Sequence, residues 1–270
     1  MLLDRNAIGL EAARRQVGGE AEAAVVDLSS LSAVRSFAES WRASGLPLDV
    51  LVNNAGLLPR PRREQTAEGF ELGFGVSVIG HFALTAGLLP ALLHATAPRI
   101  VTTSSIAHRG ARIDFDDLAI TRNYDPVRAY ATAKLGALLF ALELERRARA
   151  AGTSLQSLAA HPGISRTSIG SSWEGVKPAG LRQRLANLAL GAAMRWFSQD
   201  AEQGAAPLLH AATAPDARGG EFYGPSGAFE WRGAPARVVP SAGARDPRSG
   251  ARLWQALEGA TQIRYQWSAR

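Results

Sequence analysis

Short apolar segments alternate along this chain with longer stretches in which apolar residues recur at every third or fourth position. This alternation restricts the fold more than any other feature. The apolar segments end in polar or glycine-containing residues, and they are 23–28, 48–56, 99–105 and 154–163. The stretches with helical spacing are 30–43, 66–93 and 126–149. Parallel strands are joined by crossovers, which are right-handed almost without exception. The pattern therefore predicts an α/β fold built on a doubly wound parallel sheet.

The remaining segments fit one domain over 1–270, a Rossmann-like, three-layer arrangement. Residues 219–227 predict a last strand that enters a turn, and residues 250–259 predict a closing helix. Residues 165–200 mix glycine and serine with apolar and aromatic residues, and they follow the carboxyl end of a strand, where open α/β sheets bind ligands. Two interpretations of this segment remain open: a lid over a mainly apolar substrate, or ordinary core packing.

Composition excludes several kinds of chemistry. The chain has no cysteine, which removes disulfides, thiolate catalysis and cysteine-ligated metals. Its five histidines show no paired metal-ligand spacing on a helix, so no metal is expected. His108 and His161 are assigned to loop or packing roles.

Charge and hydropathy give no support for nucleic-acid or membrane partners. The net charge is +6, but the densest basic cluster, at 60–63, is short, has no interleaved aromatics and is expected to be a solvated loop. No run reaches the roughly 18 consecutive apolar residues of a membrane span, and the first fifteen residues carry charges where a secretory signal needs an apolar block. We therefore expect a cytoplasmic protein with no membrane span and no nucleic-acid partner.

A tyrosine and a lysine one helical turn apart form the main candidate for chemistry. Only two lysines occur in the chain, and one of them, Lys134, follows Tyr130 by four residues. Asp125 and Pro126 are an N-cap and a first-turn proline, so both side chains should lie on one face of a helix that begins there. A free phenol has a pKa near 10, and proton transfer near pH 7 requires that pKa to fall by roughly 3, or ~4 kcal/mol. An ammonium at ~4 Å and an effective dielectric of ~20 supplies about that much.

Taken alone, this spacing is also typical of an amphipathic helix with an ordinary tyrosine and a snorkelling lysine. Two neighbouring patterns favour the chemical interpretation. Residues 102–105, "TTSS", end a strand where a hydroxyl could polarise a carbonyl, and residues 53–56, "NNAG", end another with small residues that allow close backbone approach to a ligand.

With these motifs in view, the chain resembles the short-chain dehydrogenase/reductase family, and within it the retinol-dehydrogenase-like oxidoreductases. The resemblance is carried, in the family's order and approximate spacing, by "VVDL", "LDVLVNNAG", "GHFALT", "RIVTTSSIAH", "YATAK", "HPGISRT", "GGEFYGPSG" and "ARLW". It implies that Tyr130 is the catalytic acid/base, that Lys134 lowers the pKa of Tyr130 and holds the nicotinamide ribose, and that Ser105 hydrogen-bonds the reacting oxygen. It also implies a cofactor site formed by Tyr130 and Lys134 together with Arg5, Asp27, Leu28, Asn54, Ala55, Gly56, Pro162, Gly163, Ile164 and Thr167.

The chain departs from the family pattern in two places. The family begins with a strand and a glycine-rich turn that holds the pyrophosphate, whereas residues 1–6 resemble the end of its second strand, so the fold is expected to be N-terminally incomplete. Glycines with similar spacing at 69–75 follow no strand and are not expected to bind phosphate. Ser77 replaces an asparagine that supports a water chain to the lysine. Asp4 and Arg5 give opposite indications on a 2′-phosphate, so the cofactor is written NAD(P).

The resemblance predicts an oxidoreductase that interconverts an alcohol and a ketone or aldehyde, with a lipophilic small molecule as substrate. Two alternatives stay open: a non-catalytic remnant that acts as an interaction or regulatory protein, and a start codon placed too far downstream. A sheet without its central strand would expose edges and apolar faces, which predicts poor solubility or association. A homo-oligomer formed through the helices at 66–93 and 126–149 is a family expectation.

Overall fold

The computed structural model describes residues 1–165 and 199–267. The strands are β1 (Leu2–Asp4), β2 (Ala23–Val25), β3 (Val50–Asn53), β4 (Arg99–Thr103), β5 (Gln156–Ala160), β6 (Phe222–Pro225) and β7 (Pro235–Arg237). The helices are α1 (Ala7–Val17), α2 (Leu31–Ser44), α3 (Leu72–Leu93), α4 (Pro126–Ala150), α5 (Ala201–Thr213), α6 (Ala242–Arg245) and α7 (Pro247–Thr261). Short 3₁₀ turns follow β4 and β6, at Ile106–Gly110 and Ala228–Glu230.

The α/β fold and its parallel strands are confirmed, but the described strands form two sheets. β1 and β2 pair as a two-stranded parallel sheet. The other five pair in the order β3-β4-β5-β6-β7, parallel except for the antiparallel β6–β7 pair. The sequence patterns predict the parallel strands up to β6; β7 is too short to show a period of its own.

Helix packing joins the two sheets. α2, which follows β2, packs along α3, and the Leu31 backbone N–H donates to the Glu68 carboxylate (2.9 Å). Gly80 of α3 lies against the end of β2, where a Cβ on this glycine would come within 2.4 Å of the Leu28 carbonyl oxygen. Between the sheets, the outer edge of β3 has no strand partner among the described residues. Val50 and Val52 of β3 are consequently 37% and 43% exposed.

α3 is the central helix of the fold and contains a π-helical segment, Gly75–Gly80. It is long and apolar enough to cross a membrane by length and composition, yet 78% of its most apolar window is buried inside the protein. The glycines at 69–75 form the turn and first residues that lead into this helix, where the Phe74 N–H donates to the Glu71 carboxylate (2.7 Å). They do not follow a strand, in agreement with the expectation that this spacing is not a phosphate loop.

The C-terminal segment covers the helices on one side of the five-stranded sheet. Trp254 of α7 contacts Phe82 of α3 edge-to-face and stacks on Phe140 of α4, with ring centroids 5.2 and 6.1 Å apart. Tyr265 packs on Phe82 (4.9 Å) and donates its hydroxyl hydrogen to the Phe82 carbonyl oxygen (2.8 Å). The chain's own tail thus covers part of the helix surface from which the oligomer was expected to form.

Arg63, in the basic cluster at 60–63, is structural. Its guanidinium donates to the carbonyl oxygens of Gly69 (2.7 Å), Ala119 (3.0 Å) and Ile120 (2.9 Å). It therefore ties two loops together, a role that the expected solvated loop did not include.

Candidate active site

The helix that carries Tyr130 and Lys134 begins where its sequence predicts. Asp125 is the N-cap and accepts a hydrogen bond from the Arg128 N–H (2.8 Å), and Pro126 occupies the first turn. The start of α4 is fixed against the end of β4, because the Ser104 hydroxyl donates to the Lys134 carbonyl oxygen (2.8 Å). This contact brings the helix face with Tyr130 and Lys134 to the carboxyl edge of the sheet.

Ser105 and Tyr130 are hydrogen-bonded neighbours. Ser105 follows β4 and caps the next turn by accepting from the Ala107 N–H (3.2 Å). Burial raises the pKa of Tyr130 above its ordinary value, and the hydrogen bond with Ser105 opposes that rise only in part. The phenol is therefore protonated at neutral pH in this structure.

The expected effect of Lys134 on this phenol is not found. Its Nζ lies 5.8 Å from the centre of the Tyr130 ring, and the pKa of Tyr130 is raised instead of lowered. The physical reason is burial of the phenol, which disfavours its charged form and is the largest cause of the raised pKa of Tyr130. The ammonium is buried as well. Lys134 is 6% exposed, and burial lowers its own pKa from 10.5 to about 8.

Lys134 points toward a space bordered by Gly56 and Ser77. Its ammonium has one long contact, 3.5 Å to the Thr103 carbonyl oxygen, and no carboxylate partner among the described residues. A Cβ on Gly56 would lie 2.9 Å from Nζ and 3.2 Å from the Ser77 hydroxyl oxygen. Because residue 56 has no side chain, the Lys134 ammonium and the Ser77 hydroxyl can lie directly against its backbone.

Ser77 also contacts His81, which the sequence analysis did not consider. The Ser77 carbonyl oxygen is 3.0 Å from His81 Nδ1. His81 is 2% exposed; burial, together with the charge of Lys134, lowers its pKa to about 4 despite that hydrogen bond. The imidazole is neutral at pH 7, so Lys134 has no second cation beside it here.

One cavity of about 580 Å³ connects these groups with the ends of several strands. The residues that the sequence assigned to the site and that line this cavity are Arg5, Asp27, Leu28, Asn54, Ala55, Gly56, Ser105, Tyr130, Lys134, Pro162 and Gly163. Ile164 is not among the lining residues, because its backbone turns away to donate to the Trp231 carbonyl oxygen (2.8 Å). Thr167 and most of the expected lid at 165–200 lie outside the described residues.

The end of the cavity next to β1 and β2 carries opposite charges. Burial alone would raise the pKa of Asp27, but hydrogen bonds from the Ser29 hydroxyl and N–H (2.7 and 2.9 Å) and the charge of Arg5 lower it. Asp4 accepts from the Asn6 N–H (2.7 Å), whereas Arg5 is exposed and has no hydrogen-bond partner among the described residues. The cavity therefore has, at this end, a guanidinium without a hydrogen-bond partner among the described residues and, at the other, a buried ammonium.

An apolar wall was missed by the sequence reasoning. α5 presents Ala201, Gly204, Ala205 and Leu208 to the cavity, and Leu57, Leu58 and Val76 line it from the opposite elements. Positions 201, 204, 205 and 208 have the spacing of one helix face, and this spacing could have identified the wall from the sequence. Close packing explains the small residues, since a Cβ on Gly204 would come within 2.1 Å of the Ser165 hydroxyl oxygen.

Comparisons with known proteins identify relatives of this chain. The profile of the family described as short chain dehydrogenase matches residues 1–175. Polyprenol dehydrogenase of Mus musculus is 39% identical over 236 residues, covering 85% of this chain and 64% of that protein. Retinol dehydrogenase 13 of Homo sapiens is 41% identical over 166 residues, covering 59% of this chain and 49% of that protein. The chain spans about half to two-thirds of the length of these curated relatives.

Solved structures show the same fold. The crystal structure of an uncharacterised protein from Mycobacterium paratuberculosis has a TM-score of 0.77 and 38% identity, covering 98% of this chain and 84% of that one. A RhlG/NADP active-site complex from Pseudomonas aeruginosa has a TM-score of 0.59 at 23% identity, covering 84% of this chain and 85% of that one; this likeness concerns the fold alone. Since the family profile covers more than half of the chain and the similar proteins include a retinol dehydrogenase, the chain belongs to the short-chain dehydrogenase/reductase family, among its members that resemble retinol dehydrogenases.

Proposed function

We propose that this protein is an NAD(P)-dependent oxidoreductase that interconverts an alcohol and a ketone or aldehyde on a lipophilic small molecule. The observation that carries the proposal is the convergence of Ser105, Tyr130 and Lys134 at one end of a cavity of about 580 Å³. That volume falls within the usual range of small-molecule and cofactor sites. A hydrogen-bond donor, a proton carrier and a cation at one place are the groups that carbonyl chemistry requires.

The residues present fit a dinucleotide at both ends of this cavity. Gly56 and Lys134 both line the cavity, and the Lys134 ammonium can donate hydrogen bonds to the hydroxyl groups of a ribose there. Asp27 and Leu28 would hold the adenine end, as the family resemblance implies. When bound, the nicotinamide supplies or accepts the hydride.

The protein's own groups handle the proton and the oxygen. The hydroxyl of Ser105 would donate a hydrogen bond to the carbonyl oxygen, and Tyr130 would donate the proton that completes reduction. Because burial raises the pKa of Tyr130, the phenol holds this proton at neutral pH. Reduction is therefore the direction that this form of the site favours near pH 7, and alcohol oxidation should accelerate as the pH rises toward the pKa of the phenol.

Arg5 supports a preference for the 2′-phosphorylated cofactor. Its guanidinium is exposed at the cavity and has no hydrogen-bond partner among the described residues, whereas the Asp4 carboxylate is engaged by the Asn6 N–H. A guanidinium whose N–H groups are not engaged in hydrogen bonds can bind a phosphate through paired hydrogen bonds. We expect Arg5→Gln to weaken binding of NADPH about tenfold or more and to change binding of NADH by less than about twofold.

The lipophilic substrate is supported by the apolar wall and by the relatives. Leu57, Leu58, Val76 and Leu208 line the cavity, and the similar proteins named above are a polyprenol and a retinol dehydrogenase. An apolar chain would bury its surface against these leucines and leave its oxygen beside Ser105.

The test of the proton carrier is Tyr130→Phe, which removes one oxygen. With a lipophilic ketone or aldehyde and NADPH, we expect turnover to fall by at least about a hundredfold, because general acid catalysis contributes that much. Tyr124→Phe is the matched control, since the Tyr124 hydroxyl donates to the Arg60 carbonyl oxygen (2.7 Å) and does not line the cavity. Equal turnover in the wild type and the Tyr130 variant would refute the assignment.

A second candidate function is a non-catalytic interaction protein. The division of the described strands into two sheets favours it, because a dinucleotide would cross the gap between β1 and β3 without a glycine-rich turn from the described residues. Titration with reduced cofactor, followed by nicotinamide fluorescence, separates the two: no binding at millimolar cofactor would favour the interaction protein.

A further inference from the structure

His161 is a buried histidine at the end of β5, directly before the cavity residues Pro162 and Gly163. Its side chain is fully buried and lies 5.2 Å from the Phe222 ring, centre to centre. The ring occupies the space beside Gly224, where a Cβ would come within 2.1 Å of Nε2. The imidazole therefore has a single position, fixed by the neighbouring strand β6.

Hydrogen bonding also fixes the proton of this ring. The Gly163 backbone N–H donates to His161 Nδ1 (3.2 Å), so Nδ1 is an acceptor. The proton of the neutral imidazole then lies on Nε2, which donates to a Glu230 carboxylate oxygen (3.0 Å). Burial lowers the pKa of His161 to about 4, although Glu230 opposes this change, and the ring stays neutral at pH 7.

Glu230 links the loop after β5, which begins at His161, to the turn that begins at Ser105. Its second oxygen accepts from the Arg109 guanidinium (2.5 Å), and Arg109 belongs to the 3₁₀ turn Ile106–Gly110. We call Arg109, Glu230 and His161 the Glu230 network. None of the three lines the cavity, yet each end of the network reaches a loop that does.

Backbone contacts run alongside the network. The Ile164 N–H donates to the Trp231 carbonyl oxygen (2.8 Å), and Gly163 has a φ of +64°. A Cβ on Gly163 would come within 2.4 Å of that carbonyl oxygen. The loop after β5 is thus held directly against residues 230–231.

Two consecutive non-glycine residues at this contact adopt the left-handed conformation. Phe229 has a φ of 56° and Glu230 a φ of 58°. Such a backbone is disfavoured for residues with a Cβ and persists where the surrounding contacts fix it. Glu230 accepts hydrogen bonds from His161 and Arg109, and its own N–H donates to the Gly227 carbonyl oxygen (2.9 Å); these contacts hold the residue in place.

We propose that Glu230 is a positioning residue for the nicotinamide end of the cofactor site. Through His161 it fixes the backbone N–H of Gly163, and through Arg109 it fixes the turn that carries Ser105. The loop with Gly163 and the turn with Ser105 therefore keep a constant distance from each other. This inference rests on the proposed function and assigns to Glu230 a role that acts through other residues.

The test is Glu230→Asn in the full chain. Asparagine tolerates the left-handed backbone, so the change removes the carboxylate charge and shortens the side chain by one methylene without adding backbone strain. We expect hydrogen exchange at the Gly163 amide to become at least about tenfold faster, and the dissociation constant of NADPH to rise about tenfold, with a smaller change in kcat. Arg109→Met should act in the same direction, and the double variant should cost less than the product of the two single effects.

Glu221→Asn is the matched control, because Glu221 is a partly buried carboxylate of the same region that pairs with Arg237 (2.8 Å) and does not line the cavity. It should leave Gly163 exchange and NADPH affinity unchanged. If the wild type binds NADPH and the dissociation constant of the Glu230 variant differs from it by less than about twofold, the positioning role is overturned and the proposed function stands. A wild-type protein that binds no cofactor would remove the proposed function and this inference with it.

Discussion

Burial of the Lys134 ammonium predicts that the protein would be more stable without it. The pKa of Lys134 falls from 10.5 to about 8 because the charged form is desolvated, and the side chain is 6% exposed. A fall of about 2.5 corresponds to roughly 3 kcal/mol of unfavourable interaction in the folded state, at 1.36 kcal/mol per pKa unit. Lys134→Met keeps a long unbranched side chain, so we expect the free energy of unfolding at pH 7 to rise by up to about 3 kcal/mol.

The pKa shift of Lys134 also predicts how the stability of the wild type depends on pH. Between the two pKa values, the unfolded chain binds more protons than the folded one, so wild-type stability increases as the pH rises above about 8. Below pH 8 the destabilisation by Lys134 is complete, and above about pH 10.5 it is absent. The advantage of Lys134→Met should therefore shrink from about 3 kcal/mol at pH 7 to roughly 1.4 kcal/mol at pH 9.5.

Urea unfolding at the two pH values measures this difference, and in thermal unfolding at pH 7 the variant should melt about 6–12 °C higher. Arg35→Met is the control, because Arg35 is exposed on α2 and its loss should leave stability nearly unchanged. The same Lys134 variant should bind cofactor poorly. A variant that is less stable than the wild type at pH 7, or a gain that does not depend on pH, would refute the reasoning.

Three further predictions follow from packing. Gly80→Ala should destabilise the fold by about 1–3 kcal/mol, because the new Cβ would lie 2.4 Å from the Leu28 carbonyl oxygen. Gly259→Ala, which has open space in α7, should stabilise the fold by about 0.5–1 kcal/mol, so urea unfolding should show changes of opposite sign in the free energy of unfolding of the two variants. Trp254→Ala should cost about 3–5 kcal/mol and expose aromatic rings of α3 and α4, so that size-exclusion chromatography shows new association; an unchanged elution volume would contradict this. Val52→Lys lies at the edge of β3 that has no strand partner among residues 1–165 and 199–267. It should reduce concentration-dependent association and change stability by less than about 0.5 kcal/mol; light scattering that stays the same would contradict this.

The aromatic cover on α3 and α4 bears on the expected oligomer. Phe82 and Phe140 are fully buried beneath Trp254 and Tyr265, which come from the C-terminal segment. A homo-oligomer that used this part of the helix surface would have to displace the tail.

Local sequence patterns determined most of the framework. The apolar period separated strands from helices, and Asp125 with Pro126 fixed the start of α4 at the residue where the structure has it. The four-residue spacing of Tyr130 and Lys134, and the position of Ser105 at the end of β4, brought these three residues to one edge of the sheet. These predictions succeed because they depend on periodicity and on chain direction, which neighbouring residues encode.

Only the tertiary structure decided the electrostatics and the long-range contacts. Spacing placed Lys134 near Tyr130, but the depth of burial determined that the ammonium lies over the ring and that the pKa of the phenol rises. Likewise, His161 meets Glu230 across 69 residues, and no local pattern encodes such a contact. Desolvation and the pairing of distant groups depend on which elements cover a site, and that is a property of the folded chain alone.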